Sequence, residues 1–281
     1  MTVYRTMTPE DIPAGLHLCR LAGWNQLARD WQVFLQTNKK GCSVALDDAG
    51  NVIGTVATIP YQNHFTWIGM VLVDPSKQRQ GIGTELLHEA LRLTAKQETI
   101  KLDATPAGRE VYLKIGFADE YKIIRMSRAV IKIGDMQSTA RLATASDFPS
   151  LLKLDLQVFG ADRQFVLEWN FKDAGQYAFV VEERGEITGF CLGRRGYEFD
   201  QIGPIVANDV TIAMQLLASV LHQVDGKPVI LDVLTHTPEW IDFVSSLGFT
   251  PLRPLVRMFR GPNNYPGLPQ KQFAMLGPEF G

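Results

Sequence analysis

The chain has 281 residues, and because a typical domain has about 100 to 200, this length favours two domains. Hydrophobic residues make up 46% of the sequence and charged residues 21%, which excludes a disordered chain. With 28 Lys and Arg against 30 Asp and Glu, the net charge is -2. Such a balance argues against broad electrostatic binding to nucleic acid or to an anionic membrane, and we expect neither partner.

The apolar segments and the cysteines indicate the compartment. No apolar run approaches the roughly 20 residues that span a bilayer, and the start of the chain lacks the layout of a signal peptide. The three cysteines are odd in number and scattered, so they predict neither a disulfide framework nor a zinc site. We expect a cytoplasmic protein, with Cys19 and Cys42 buried as small core residues.

The first third of the sequence predicts alternating helices and strands. A helix opens at residues 9–11 and a second covers residues 26–35. The turn at Gly50-Asn51 joins two strands, residues 42–46 and 52–59, into a hairpin. Residues 65–73 are apolar at both odd and even positions, which predicts a central strand covered on both faces.

A glycine-containing loop follows this central strand and opens a helix with an apolar stripe. Residues 100–104 predict the next strand, and Pro106 starts a helix that runs to Lys114 and is ended by Gly116. A short strand is predicted at residues 122–126. The stretch from 130 to 139 shows little periodicity and is interpreted as a linker.

The second half of the sequence repeats the first. The repeated positions are Thr105-Pro106, Tyr112, Gly116-Phe117 and Met126, matched at an offset of 132 by Thr237-Pro238, Val244, Gly248-Phe249 and Met258. The two beginnings also match, Arg5 and Asp11 against Arg141 and Asp147. The pattern predicts an α/β fold of two tandem copies, each a mixed sheet flanked by helices, at residues 1–130 and 140–281 with a linker at 131–139. The second copy includes the Pro- and Gly-rich tail.

The loop Gly81-Ile82-Gly83 stands where a strand gives way to a helix. Free backbone N–H groups and the helix dipole favour a bound phosphate at such a place. A dinucleotide fingerprint would need a third glycine where Leu86 stands, and the Gly-Lys-Ser/Thr of a P-loop is absent. A tight turn without a ligand is the alternative interpretation.

Two motifs together resemble the GNAT superfamily of acyl-CoA-dependent N-acyltransferases. The family's Q/R-x-x-G-x-G/A loop is matched by Gln78 to Gly83, and its Y-x-x-x-G-F element by Tyr112 to Phe117. More loosely, residues 23–26 and the closing residues 273–281 look like those of a two-domain bacterial-type subgroup.

The resemblance implies acetyl-CoA as cosubstrate and no metal. The pyrophosphate would rest on the N–H groups of residues 79–84, and the pantetheine arm would pair with the backbone of Val71 and Val73. At the position of Thr105 the family carries Asn. The expected cofactor residues are Val71, Leu72, Val73, Gln78, Arg79, Gln80, Gly81, Ile82, Gly83, Thr84 and Thr105.

The resemblance also assigns the catalytic residues. Tyr112 matches the family's general acid, with an aromatic packing role as the alternative, and an N–H near Val71 or Leu72 would serve as oxyanion donor. The family's central-strand Glu is missing from residues 65–73, so His64 and Asp103 are the candidate general bases. The expected acceptor-site residues are Trp24, Asn25, Gln26, Asp30 and Trp67.

The second copy lacks both motifs, since no glycine loop follows residues 201–206 and Val244 replaces the tyrosine. We therefore expect chemistry in the first copy only. The expected activity is acetyl transfer from acetyl-CoA to a primary amine of a small molecule, by direct attack in a ternary complex of a monomer or homodimer. An acyl-CoA-binding regulatory pseudoenzyme and a protein lysine acetyltransferase are the alternatives.

Overall fold

The computed structural model describes residues 2–129, 136, 138–224 and 228–281. Apart from 136, 138 and 139, the predicted linker at 131–139 lies outside the described residues. The strands are β1 (Val3–Thr6), β2 (Cys42–Leu46), β3 (Val52–Tyr61), β4 (Phe65–Val73), β5 (Ile100–Ala104), β6 (Ala118–Arg128), β7 (Arg141–Leu142), β8 (Phe179–Glu183), β9 (Glu186–Arg194), β10 (Asp200–Ala207), β11 (Val229–Leu234), β12 (Thr250–Arg260) and β13 (Gln272–Ala274). The α-helices are α1 (Ile12–Leu21), α2 (Ala28–Thr37), α3 (Ile82–Leu93), α4 (Pro106–Lys114), α5 (Phe148–Phe159), α6 (Gln164–Ala174), α7 (Val210–Gln223) and α8 (Pro238–Ser246).

Local sequence explains the helices that border the later site. Gly81 precedes α3 with φ of 83°, a left-handed conformation that favours glycine, and Leu86 and Leu87 of the α3 stripe are buried. The hydroxyl of Thr105 caps α4 by accepting from the N–H of Gly108, and Pro106 occupies the first turn. Gly116 follows with φ of 89°, as expected for the residue that ends a helix. The predicted limits of α4 are confirmed.

All thirteen strands found in the described residues form one continuous mixed sheet. Its order is β1-β2-β3-β4-β5-β12-β6-β11-β13-β10-β9-β8-β7. The predicted mixed α/β fold of two related halves is confirmed, but the halves are not separate in space. In each half the strand after the helix that Thr-Pro opens pairs within the other half: β12 lies against β5 (Met258 opposite Leu102), and β6 lies against β11 (Met126 opposite Leu231).

This exchange explains one error in the predicted elements. The strand expected at residues 122–126 extends over Ala118–Arg128 because β6 pairs along its length with β12 on one side and β11 on the other. Non-local pairing of this kind leaves no local signature in the sequence.

The repeated beginnings of the two halves fold alike. Arg5 forms a two-pronged ion pair with Asp11, with N–O distances of 2.7 and 2.8 Å, and Arg141 pairs with Asp147 at 2.8 Å for both. In each case the carboxylate also accepts a backbone N–H three residues earlier, from Thr8 or Thr144. The sequence repeat is thus a structural repeat.

The core lies on both faces of the sheet. Strand β4 lies between β3 and β5 and is buried except for Val71 and Val73, which are half-buried, as predicted for a central strand. All three cysteines are buried and free. None of the helices in the described residues is long and apolar enough to cross a membrane.

Candidate active site

Strands β4 and β5 run parallel but separate after two residue pairs. Thr66 lies opposite Ile100 and Trp67 opposite Lys101, and beyond them no further pairing joins the two strands. The separation opens a cavity of about 530 Å³, which extends from the start of α3 to the edge of the closing segment, residues 272–281. Because the strands diverge, backbone groups on the facing edge of β4 are left for a ligand.

One end of the cavity is formed by the loop before α3. The loop bends through positive φ at Arg79 (60°) and Gly81 (83°), and the first N–H groups of α3 lie at the cavity wall. An added Cβ at Gly81 would meet nothing within 4 Å, and one at Gly83 would meet only Val73 at 3.5 Å. This end therefore has free donors, a helix dipole and open space, which together suit an anionic group.

The middle of the cavity is bordered by an irregularity in β4. Gly69 lies opposite Ala57 and Leu72 opposite Thr55, so β4 has one more residue than β3 between these pairs. Met70 takes φ of 55°, and its carbonyl accepts the Thr55 hydroxyl at 2.8 Å. The bulge re-aims the backbone after Met70 and leaves Val71 facing the cavity.

Tyr112 lines the same part of the cavity. It is buried, with 8% of its surface exposed, and its ring lies 5.8 Å from that of Phe117. Burial raises the pKa of Tyr112 to about 12, so the phenol keeps its proton at neutral pH. Among the described residues no hydrogen bond reaches its hydroxyl, which leaves the group free to donate to a ligand.

The opposite end of the cavity is charged. The charged residues that line it are Asp103, Arg125, Arg253 and Glu279. Three have partners of opposite charge outside the cavity: Asp103 pairs with Arg257, Arg125 with Asp232, and Glu279 with Arg194. Trp24 and Gln26 complete this end. We call it the acceptor end.

The closing segment places Glu279 at the acceptor end. Strand β13 inserts between β10 and β11, and the chain then passes along β4. The Trp67 indole donates to the carbonyl of Pro278 at 3.1 Å, and the Tyr61 hydroxyl donates to that of Phe280 at 2.7 Å. These bonds fix the backbone on both sides of Glu279.

The equivalent opening in the second half is closed. Strands β10 and β11 also separate after two pairs, but β13 fills the space between them. At the start of α7 the Asp209 carboxylate accepts the N–H of Ile212, and buried Val244 stands in place of the tyrosine. The protein's own groups therefore occupy the positions that are open in the first half.

Most of the cofactor residues expected from the sequence lie together in the cavity wall. Those that line it are Val71, Val73, Gln78, Arg79, Gly81, Ile82, Gly83, Thr84 and Thr105, whereas Leu72 and Gln80 do not.

The catalytic candidates Tyr112 and Asp103 also line the cavity. His64 does not: its ring stacks on Tyr265 at 3.7 Å and its Nδ1 lies 3.0 Å from the carbonyl oxygen of Gly160. The structure therefore separates His64 from the other site residues.

Two of the five expected acceptor residues, Trp24 and Gln26, line the cavity. Asn25 binds the backbone of residues 198–199 instead, joining the halves. Asp30 is buried at the start of α2, where its carboxylate accepts the N–H of Leu27 and lies 3.3 Å from Nε of Arg194. Trp67 is fully buried and holds the closing segment.

Sequence reasoning missed Arg253 and Glu279. Both come from the second half, far along the chain from the motifs, and reach the cavity through the exchanged strand β12 and the closing segment. The similarity of residues 273–281 to a tandem subgroup was the only sequence feature that pointed to that segment. Among the described residues no cluster of three or more His, Cys, Asp or Glu side chains could hold a metal ion.

Comparisons with known proteins find one matching sequence profile in each half of the chain. A sequence profile described as "Acetyltransferase (GNAT) family" matches residues 13–117, and one described as "Acetyltransferase (GNAT) domain" matches residues 151–274. An uncharacterized N-acetyltransferase of Bacillus subtilis, YitH, is 24% identical over 242 residues, which are 85% of this chain and 85% of that protein.

Solved structures share the fold. A putative acetyltransferase from Pyrococcus horikoshii superposes with a TM-score of 0.82 at 22% identity, covering 100% of this chain and 96% of that one. A tandem GNAT protein from the clavulanic acid biosynthesis pathway superposes with a TM-score of 0.66 at 14% identity, covering 93% and 98% of the two chains. The chain belongs to the GNAT acetyltransferase family and carries two GNAT domains in tandem.

Proposed function

We propose that the protein transfers an acetyl group from acetyl-CoA to the primary amine of a small molecule, by direct attack in a ternary complex in the first-half cavity. One observation carries the proposal: a single cavity joins the start of a helix, a protonated phenol and a charged end with carboxylates. These are the groups that such a transfer needs to bind an anion, protonate a thiolate and activate an amine.

The residues of the wall fit acetyl-CoA. The N–H groups at the start of α3 would hold the pyrophosphate, and Arg79 would add charge-assisted contacts. The edge of β4 at Val71 and Val73 would pair with the amides of the pantetheine arm in the place of a neighbouring strand. When bound, acetyl-CoA supplies an acetyl thioester, the activated group that the amine attacks.

Two groups of the chain act on that thioester. A backbone N–H released by the β4 bulge, at Val71 or Leu72, would stabilise the negative charge that develops on the carbonyl oxygen. Tyr112 would stabilise or protonate the departing thiolate. With a pKa of about 12 the phenol keeps its proton at neutral pH and can donate a hydrogen bond to the sulfur, whose thiol has an ordinary pKa of about 8.5.

We assign the general base to Glu279 rather than Asp103. Both oxygens of Asp103 are engaged by Arg257, at 2.9 and 3.0 Å. Glu279 uses Oε1 to contact Arg194, and no hydrogen bond from the described residues reaches its Oε2. A carboxylate with one free oxygen in the cavity wall can accept the proton of the attacking amine. His64 does not line the cavity, so we do not assign it this role.

The cysteines suggest the compartment in which the protein works. Three free, buried cysteines fit a reducing environment, and the cytoplasm is our expectation. The protein is expected to work as a monomer or a homodimer.

The test is thiol release from acetyl-CoA by the purified protein over a panel of small amines, with the acetylated product identified by mass. We expect release that depends on the amine. Binding of CoA without release across the panel would favour the regulatory pseudoenzyme. Release with lysine-containing peptides and not with small amines would favour protein lysine acetylation.

A further inference from the structure

Among the described residues that line the acceptor end, Arg253 is the cation whose guanidinium has no hydrogen bond or ion pair. It is half-buried on β12, where Leu252 forms a bulge, and it lines the cavity. Within the part of the chain that the structure describes, no hydrogen bond or ion pair reaches its guanidinium, and its Nε is buried without a partner. A buried N–H donor without a partner is costly, so this arrangement points to a partner that arrives with a ligand.

The carboxylates nearby do not fill that role, because they are committed elsewhere. Asp232 receives two hydrogen bonds from Arg125 and one from Gln201. The Glu279 carboxylate contacts Arg194. Arg125 stands next to Arg253, and burial together with this like charge lowers the pKa of Arg253 by more than the attraction of Asp232 and Glu279 raises it. The acceptor end therefore carries one positive charge that the described residues leave without a hydrogen-bonded anion.

Arg253 also borders a second, smaller pocket. This pocket of about 230 Å³ shares Arg125 and Arg253 with the main cavity and is otherwise bordered by residues such as Gly23, Phe199 and Leu252. The glycine loop that suits an anion of the cofactor is at the other end of the main cavity. Arg253 is therefore placed to bind a different anion from the one at the glycine loop.

We propose that the acceptor is an amino compound that also carries a carboxylate, which Arg253 binds while the amine faces Glu279. The guanidinium is planar and presents paired N–H donors that match the two oxygens of a carboxylate. Gln26, whose Oε1 is buried without a partner, would accept a hydrogen bond from the same ligand. This proposal rests on the proposed function for its assignment of the amine end.

The first test compares α-amino acids with their primary amides as acceptors in the thiol-release assay. The amide keeps the size of the acid but loses its charge, and its amine is more weakly basic. In a protein without an anion site, the amide would therefore react at least as fast as the acid. We expect the acids to be preferred, with KM values on the order of 10- to 100-fold lower. Arg253→Gln should remove this preference, Arg253→Lys should restore part of it, and the KM for acetyl-CoA should not change.

The control variant is Arg92→Gln, which makes the same change at an exposed position near the end of α3. It should keep the preference for acids. Equal use of acids and amides by the native protein, or a preference that survives in Arg253→Gln, would overturn the proposal. A preference for phosphate-bearing amines, such as phosphoethanolamine over β-alanine, would assign Arg253 to phosphate and would also overturn it.

A second measurement separates this proposal from the proposed function. Calorimetric titration of the same acids and amides into the protein saturated with CoA detects binding without any transfer. Binding of acids that is lost in Arg253→Gln, in a protein that releases no thiol from acetyl-CoA, would support the carboxylate site while contradicting the acetyltransferase. Absence of Arg253-dependent binding for every acid would overturn the carboxylate site whether or not transfer occurs.

Discussion

Arg194 on β9 and Glu279 in the closing segment form a buried ion pair behind the acceptor end of the cavity. Arg194 also donates to the carbonyl of Leu276 at 2.5 Å and lies 3.3 Å from Asp30 of the first half. A residue of the second half thus holds the carboxylate that we assign as base in a cavity of the first. The opening of the second half is closed, but this half contributes Arg253 and Glu279 to the acceptor end, and its Arg194 holds Glu279 from outside the cavity.

Glu279→Gln tests the proposed base. The amide keeps an oxygen for Arg194 but cannot accept the amine proton, so we expect kcat to fall roughly 100-fold while the dissociation constant for CoA is unchanged. The loss should be smaller for acceptors whose amines are already neutral at the assay pH. Initial rates over a series of amines of different basicity measure this.

The matched control is Glu183→Gln, the same change at an exposed position at the end of β8, which should leave the rate unchanged. A Glu279→Gln variant that loses the same factor for every amine would indicate that Glu279 positions the acceptor without taking its proton.

Tyr112→Phe tests the proposed acid. The ring and its contact with Phe117 remain while the hydroxyl is lost, so we expect a kcat lower by about 100-fold and a native melting temperature. Since the pKa of Tyr112 is raised to about 12 by burial, the native rate should not fall through its ionisation at mildly alkaline pH. Tyr197→Phe, at an exposed tyrosine, is the control and should leave kcat and the melting temperature unchanged. An unchanged kcat would leave Tyr112 with a packing role only.

Gly83→Asp tests the phosphate end. The added Cβ has room, and a carboxylate in the first turn of α3 suits the helix dipole, so folding should be preserved. The same charge repels a phosphate, and we expect at least 10-fold weaker CoA binding by calorimetry. Gly83→Ala adds the Cβ without the charge and should bind nearly as the native protein does. Equal binding by the Asp and Ala variants would mean that no phosphate sits at this turn.

The repeated ion pairs predict a pH dependence of stability. The hydrogen bonds from Arg5 and Arg141 lower the pKa values of Asp11 and Asp147 below the ordinary 3.8. A carboxyl whose pKa is lowered by folding stabilises the protein above its unfolded pKa, and the contribution is lost as the pH falls through the folded value. Each change to Asn should therefore lower the free energy of unfolding by about 1 kcal/mol at neutral pH. At a pH far below 3.8, where the native carboxyls are also protonated, the loss should be much smaller.

Urea unfolding of Asp11→Asn, Asp147→Asn and the double variant measures these costs, which should add because the sites are separate. Asp242→Asn, at an exposed position on α8, should change nothing. A cost that stayed constant down to acid pH would show that the carboxylate charge does not matter.

Much of the fold could be predicted from local patterns. The apolar run of β4, the glycine loop before α3 and the cap of α4 are encoded by neighbouring residues, and the offset of 132 predicted the tandem halves. The exchange of β6 and β12 could not be predicted, because either strand could pair within its own half with the same pattern. The motifs identified Gly81, Gly83 and Tyr112, which line one cavity. Glu279 and Arg253 could not be predicted from the sequence, because their positions depend on the tertiary pairing that places the closing segment and a distant strand.

Calorimetric titration of the native chain with CoA directly tests the proposal that the chain has one cofactor site, in its first half. We predict one CoA per chain, with binding weakened by Gly83→Asp and unaffected by Asp209→Asn at the start of α7. Two CoA molecules per chain, or binding weakened by Asp209→Asn and not by Gly83→Asp, would contradict it.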